Sequence, residues 1–178
     1  MTQNKKLDKA GKIIESIIEN GGKRTVIQGI IAPKAGAPPH YHNKCSETFE
    51  VVEGELSVWI GKKKSILTTG QTLTVEKTLV HAFKNESKSD IVINVTIEPG
   101  DIGWENTVHV AQGLSRDGEF DKFSKFTYGN VPYFNFMMKT TNTIPVGFAK
   151  IMFSFLTFLH GKKKLEKYEQ GILEKYCK

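Results

Sequence analysis

The sequence is poor in cysteine. Cys45 and Cys177 are the two cysteines in 178 residues, and they stand far apart. That excludes the disulfide framework of a small secreted domain and predicts a reducing, cytoplasmic setting. Long hydrophobic runs are also missing. The most apolar stretch, Ile144 to Leu159, is about 16 residues long and contains Lys150, whereas a membrane span needs roughly 20 apolar residues. It predicts a helix buried against the rest of the fold or a partner subunit, in preference to membrane contact. The opening residues, MTQNKKLDKAGK, have lysines but no long apolar segment behind them, so no secretory leader is expected. A basic face interleaved with aromatic residues is absent as well. The net charge is +6, yet the region from Arg24 to Glu98 has nine basic and eight acidic side chains. The excess lies towards the ends, as at Lys162, Lys163 and Lys164. Nucleic acid is therefore not an expected partner.

What is present suits a globular fold. A hydrophobic fraction of 39% and a charged fraction of 25% are ordinary for such proteins, and the length allows a real core. The first half reads as short strands separated by glycine turns. KRTVIQGII, ETFEVV, ELSVWI, SILTT, QTLTVE and DIVINVTIE are rich in β-branched and alternating residues, which predicts a β-sandwich or barrel. KIIESIIENGG has isoleucines at helical spacing, but Asn20-Gly21-Gly22 favours a strand entering a hairpin. After Gly100 the pattern becomes helical, with a short helix ending near Gly118, the apolar helix closed by Gly161, and Leu165, Tyr168, Ile172 and Tyr176 at helical spacing. The expected division is a β domain over 1–100 and a helical extension over 101–178.

Chemistry concentrates in PPHYHNKCSETFEVVEGEL, residues 38–56. His40 and His42 are one residue apart, so on a strand both imidazoles face the same way and Tyr41 faces the other. Glu47 follows after a connection long enough to turn a carboxylate back towards them, as if from one sheet face. His81, in GQTLTVEKTLVHAFKN, is a fourth candidate that a curled sheet would present to the first three. Three imidazoles and a carboxylate form a metal-ligand set that leaves coordination positions open. Burying them without a cation costs several kcal/mol each in the worst case. His109 and His160 lack such neighbours and are not expected to be ligands. Cys45 breaks the pattern and reads as a bystander thiol.

The two motifs resemble those of the cupin superfamily. Its first motif runs Gly-x5-His-x-His, three or four residues, Glu-x6-Gly; His40, His42, Glu47 and Gly54 match that spacing. Its second runs Gly-x5-Pro-x-Gly-x2-His-x3-Asn, and Gly70, His81 and Asn85 match. Lys34 and Thr78 stand where the pattern has glycine, and Glu76 where it has proline. The resemblance implies a mainly β fold, the double-stranded β-helix or jelly-roll barrel, here with a helical C-terminal appendage. It also implies one divalent transition metal ion (Fe, Mn, Ni, Cu or Zn) held by His40, His42, Glu47 and His81.

Face alternation adds a pocket expectation. If Glu47 points inward so do Phe49 and Val51, and if His81 points inward so do Leu79 and Phe83. An apolar wall beside an open metal suits a small aromatic or otherwise apolar organic ligand. Similarity to quercetin dioxygenase-like proteins implies a dioxygen-dependent oxidoreductase, with Glu47 as a catalytic group besides its role as ligand. The alternatives are a non-catalytic binding or sensing module and a metal-dependent isomerase. The C-terminal helices are expected either to cover the barrel mouth or to pair two subunits as a homodimer.

Overall fold

The computed structural model describes residues 10–123 and 126–177. The lysine-rich start, where no leader is expected, lies largely outside them. Among the described residues, ten strands form two five-stranded antiparallel sheets. The first has the order β1 (Lys12–Glu15), β2 (Thr25–Ile31), β9 (Ile91–Glu98), β4 (Ser46–Glu53), β7 (Thr72–Val75). The second has the order β10 (Thr143–Pro145), β3 (Gly36–His42), β8 (His81–Lys84), β5 (Glu55–Ile60), β6 (Lys63–Thr68). The helices are α1 (Ile17–Asn20), α2 (Ile102–Arg116), α3 (Phe120–Phe123), α4 (Val131–Thr140), α5 (Gly147–His160) and α6 (Lys162–Tyr176). The fold is mainly β, a double-stranded β-helix with a helical layer after it.

Alternation builds the barrel core. Along β9, Ile91, Ile93 and Ile97 are buried while residues between them are partly exposed, the period of two that a sheet with one covered face demands. Phe49 and Val51 from β4, Leu56 and Val58 from β5, and Val75 from β7 meet Ile91 and Ile93 between the sheets. Chain reversal between β4 and β5 is made by Gly54, whose φ of 95° lies in the region glycine enters without penalty. Gly36 serves a different need. A Cβ there would lie 2.0 Å from the Phe83 carbonyl oxygen, so only glycine lets β3 approach β8 closely.

The extension is tied to the barrel in two ways. Its strand β10 pairs with β3, placing Thr143 opposite His42 and Pro145 opposite His40. On α2, the buried Glu105 carboxylate accepts bonds from Ser16 Oγ (2.8 Å), the Ile17 amide (2.8 Å) and Thr25 Oγ1 (3.1 Å). A second core of Val110, Leu114, Tyr133, Phe136 and Ile172 joins α2, α4 and α6.

Two sequence expectations need correction. KIIESIIENGG does enter an antiparallel pair of β1 with β2, but a helical turn, α1, interrupts it. The cause is a capping box: Ser16 Oγ accepts a bond from the Ile18 amide and the Glu19 carboxylate accepts one from the Ser16 amide. The second correction concerns α5. It forms as predicted, yet none of its residues is buried. Helices α4 and α6 and the β3–β10 edge of the barrel cover only one of its faces.

The turns flanking the second sheet carry visible strain. Lys34 and Thr78, the two positions where the cupin pattern has glycine, adopt φ of 66° and 70°. A branched side chain is disfavoured there. The Thr78 amide donates to the His42 carbonyl at 2.7 Å, which holds the turn in place despite that strain. Thr78→Gly is expected to stabilise the protein by about 1 kcal/mol net of glycine's added chain entropy. Calorimetry would register a rise in Tm of about 2–4 °C.

Candidate metal centre

The two sheets bring the four candidate ligands together. His40 and His42 come from β3 and His81 from the adjacent β8, where His40 lies opposite His81. Glu47 belongs to the facing sheet, opposite Val75 and Ile97. The set therefore closes across the barrel, not on one sheet face as the spacing alone suggests. The turn at Asn43–Cys45 carries the chain from one sheet to the other. One donor atom from each residue lies within 4.8 Å of all the others, and all four side chains are buried.

The imidazoles are oriented by the backbone. His40 Nδ1 lies 2.8 Å from the Pro38 carbonyl, and His81 Nδ1 lies 3.0 Å from the Leu79 carbonyl. A carbonyl can only accept, so each Nδ1 carries a proton and each Nε2 is turned towards the centre, the usual arrangement behind a metal-binding histidine. His81 Nε2 is 2.9 Å from Glu47 Oε2. His42 Nε2 is 3.5 Å from the same oxygen, and neither ring nitrogen of His42 has a hydrogen-bond partner. A buried imidazole left without partners is costly. A cation shared by these donors would satisfy it, so the residues present fit a metal ion of the type that nitrogen and carboxylate ligands hold.

Electrostatics agree with the geometry. Burial pushes His40 down to about 4, with the Pro38 bond opposing only part of the shift. Burial alone would raise Glu47, but His42 and His81 beside it overcome that and hold it at about 2. For His81 burial is the largest single effect and works downward, but the bond and charge of Glu47 together with the Leu79 carbonyl outweigh it and raise the pKa. Cys45 is pushed up to about 11 by burial and by the Glu47 and Asp101 charges, which keeps it a thiol. It is not part of the ligand cluster. His109 and His160 are also outside that cluster.

The surroundings are aromatic. The Phe49 and Phe83 rings lie 5.2 Å apart, and Phe49 is 6.3 Å from the His81 ring. Phe49 and Val51 are part of the packed barrel core, and Phe83 packs against it. Leu79 is placed elsewhere: it is 44% exposed, because β8 begins only at His81 and face alternation does not extend into the preceding turn. Trp104, which no spacing singled out, stands 5.3 Å from the His42 ring. Its signal was weak, an aromatic residue just inside a helix capped by Asp101. A groove of about 480 Å³, lined by Pro38, Pro39, Trp59 and Ala82 among others, runs beside β3 and β8 and includes His81 in its wall. Asn85 is structural: its side chain donates to the Ile31 and Ser89 carbonyls and fixes the loop after β8.

Residues 28–98 match the cupin domain family. No curated protein matches the chain in sequence. Among solved structures, the chain is similar to an uncharacterized conserved protein with a double-stranded β-helix domain from Klebsiella pneumoniae, at 16% identity over 51% of this chain and 76% of that one, TM-score 0.44. It is also similar to the cupin domain of an XRE family transcriptional regulator from Enterobacter cloacae, at 23% identity over 49% and 93%, TM-score 0.43. A salicylate 1,2-dioxygenase variant from Pseudoaminobacter salicylatoxidans is 18% identical over 43% of this chain and 23% of that one, TM-score 0.41.

Two measurements probe the centre. His42→Ala or His81→Ala is expected to lower metal content and thermal stability together, because ion binding is coupled to folding. Elemental analysis and melting of the same samples would show equal metal content if these residues are not ligands. The second concerns pH in the metal-free protein. The depressed pKa of His40 means that its neutral form is favoured by folding, so its contribution is present above the unfolded value near 6.5 and is lost as pH falls towards about 4. The raised His81 works oppositely, contributing at low pH and losing that contribution as pH rises through its folded pKa. Urea melts across this range should show a fall in stability on acidification that is reduced in His40→Gln.

Proposed function

With a cupin domain at residues 28–98 as the premise, we propose that the chain holds one divalent transition metal through His40, His42, Glu47 and His81 and engages a small aromatic or apolar organic molecule there. We assign it to dioxygen-dependent oxidation of that molecule. The observation that carries the reading is His42: both its nitrogens are buried and unpartnered beside a carboxylate and two imidazoles already turned to offer Nε2. A bound metal ion would supply Lewis acidity and one-electron chemistry at this point.

The chain's own residues do the rest. The carbonyls of Pro38 and Leu79 keep two imidazoles in one tautomer, so ligand geometry is fixed before anything binds. Glu47 stays ionised at neutral pH and presents acceptor oxygens. At so low a pKa it orients an acidic hydroxyl by accepting its hydrogen bond and is a poor proton store. Phe49, Phe83 and Trp104 give the centre a largely apolar surround, which favours an aromatic guest and keeps water out.

Oxygen uptake tests this reading. Protein reconstituted separately with Fe, Mn, Ni or Cu is incubated with a panel of phenols and small aromatic acids in an oxygen electrode. Uptake with at least one pair, reduced by about 100-fold or more in Glu47→Gln, is the expected result. Tight binding of a panel member with no uptake in any metal form would replace the oxidase reading with a sensing module.

A further inference from the structure

The α5 helix exposes more apolar surface than the rest of the fold explains. Phe148, Ile151, Phe155, Phe158 and Leu159 are between 50% and 80% exposed. At 3.6 residues per turn these five positions fall within an arc of about 100°. The opposite side of the helix is engaged: Phe153 packs against Phe126 at 6.3 Å, and the His160 ring is 4.5 Å from Tyr128. The helix is thus held in place by one face and presents the other. Contiguous exposed apolar surface of this kind marks a contact site.

Charge identifies the contact. Gly147–His160 contains no acidic residue, and its one lysine, Lys150, is exposed. Directly after it, Lys162, Lys163, Lys164 and Lys167 are exposed at the start of α6. Lys162 has Glu166 at 3.8 Å, whereas Lys150, Lys163, Lys164 and Lys167 have no ion pair among the described residues. The apolar stripe is therefore bordered by uncompensated cations. Pairing this face with itself about a two-fold axis would set that cationic border against a copy of itself, with no acid on α5 to answer it. An anionic bilayer surface answers both features at once, taking the aromatic stripe into the acyl boundary and the lysines among the headgroups. No helix among the described residues is long and apolar enough to cross a membrane.

We propose that α5 is a membrane-surface helix. It lies flat on an anionic lipid bilayer, with Phe148, Ile151, Phe155, Phe158 and Leu159 inserted and the α6 lysines bound to acidic headgroups. This stands independently of what the metal centre does.

The full chain is sedimented with vesicles of phosphatidylcholine containing about 30 mol% phosphatidylserine, and with pure phosphatidylcholine vesicles, at low and high salt. The protein is expected to pellet with the anionic vesicles and to be released by salt. Phe155→Glu/Phe158→Glu should lower partitioning about tenfold or more, and Lys163→Glu/Lys164→Glu should remove the preference for acidic lipid. Both sites are exposed, and circular dichroism checks the fold. Should the glutamates unfold the chain, Phe155→Ser/Phe158→Ser carries the same expectation. Protein that stays in the supernatant with both vesicle types overturns the proposal. So does a dimer that light scattering detects and Phe158→Glu dissociates, since the face is then covered by a second copy.

Discussion

The interior carboxylate of Glu47 sets the terms for the rest of the barrel. A charge nearly removed from solvent must find compensation or destabilise the fold by several kcal/mol. Here the compensation comes from the opposite sheet, in His81 Nε2 at 2.9 Å. The two sheets are held in register by apolar contacts on one side and by this polar cluster on the other. The strands that carry the cluster have little freedom. Gly36 lets β3 lie close on β8, and the Thr78 amide ties the preceding turn to the His42 carbonyl. The chemistry thus sits where backbone placement is most constrained, which is what a site needing preset donor geometry requires.

Much of this was legible in the residues. Alternation in DIVINVTIE and the Glu53-Gly54 turn read directly as β9 and as the β4–β5 reversal, because a half-buried strand leaves a period of two in its sequence. His40, His42, Glu47 and His81 were legible through residue type and spacing. Other features were not. Glu47's place on the opposite sheet depends on where the chain turns, and spacing does not encode that. The stretch SIIE before Asn20 is a capping signature, but the isoleucines around it and the glycines after it drew attention to strand and hairpin. VPYFNFMMKT becomes α4 although its aromatics suit strands equally well, since its buried Val131, Tyr133 and Phe136 pack on α2 and α6. Leu79 shows the limit of face parity, which holds only within a continuous strand.

The helical layer is more than an addendum to the barrel. Glu105 gathers Ser16, Ile17 and Thr25 around one buried carboxylate, joining the chain's first strands to α2. One residue earlier, Trp104 stands against His42. The same helical turn therefore both anchors the extension and completes the wall of the candidate centre.

The pairing of β10 with β3 has a wider consequence. Without those three residues, the strand bearing His40 and His42 would end its sheet with a bare row of amides and carbonyls, an open template on which other chains could polymerise. The late segment Thr143–Pro145 occupies that rim. It shields the most chemically specialised strand of the molecule from becoming its most adhesive one.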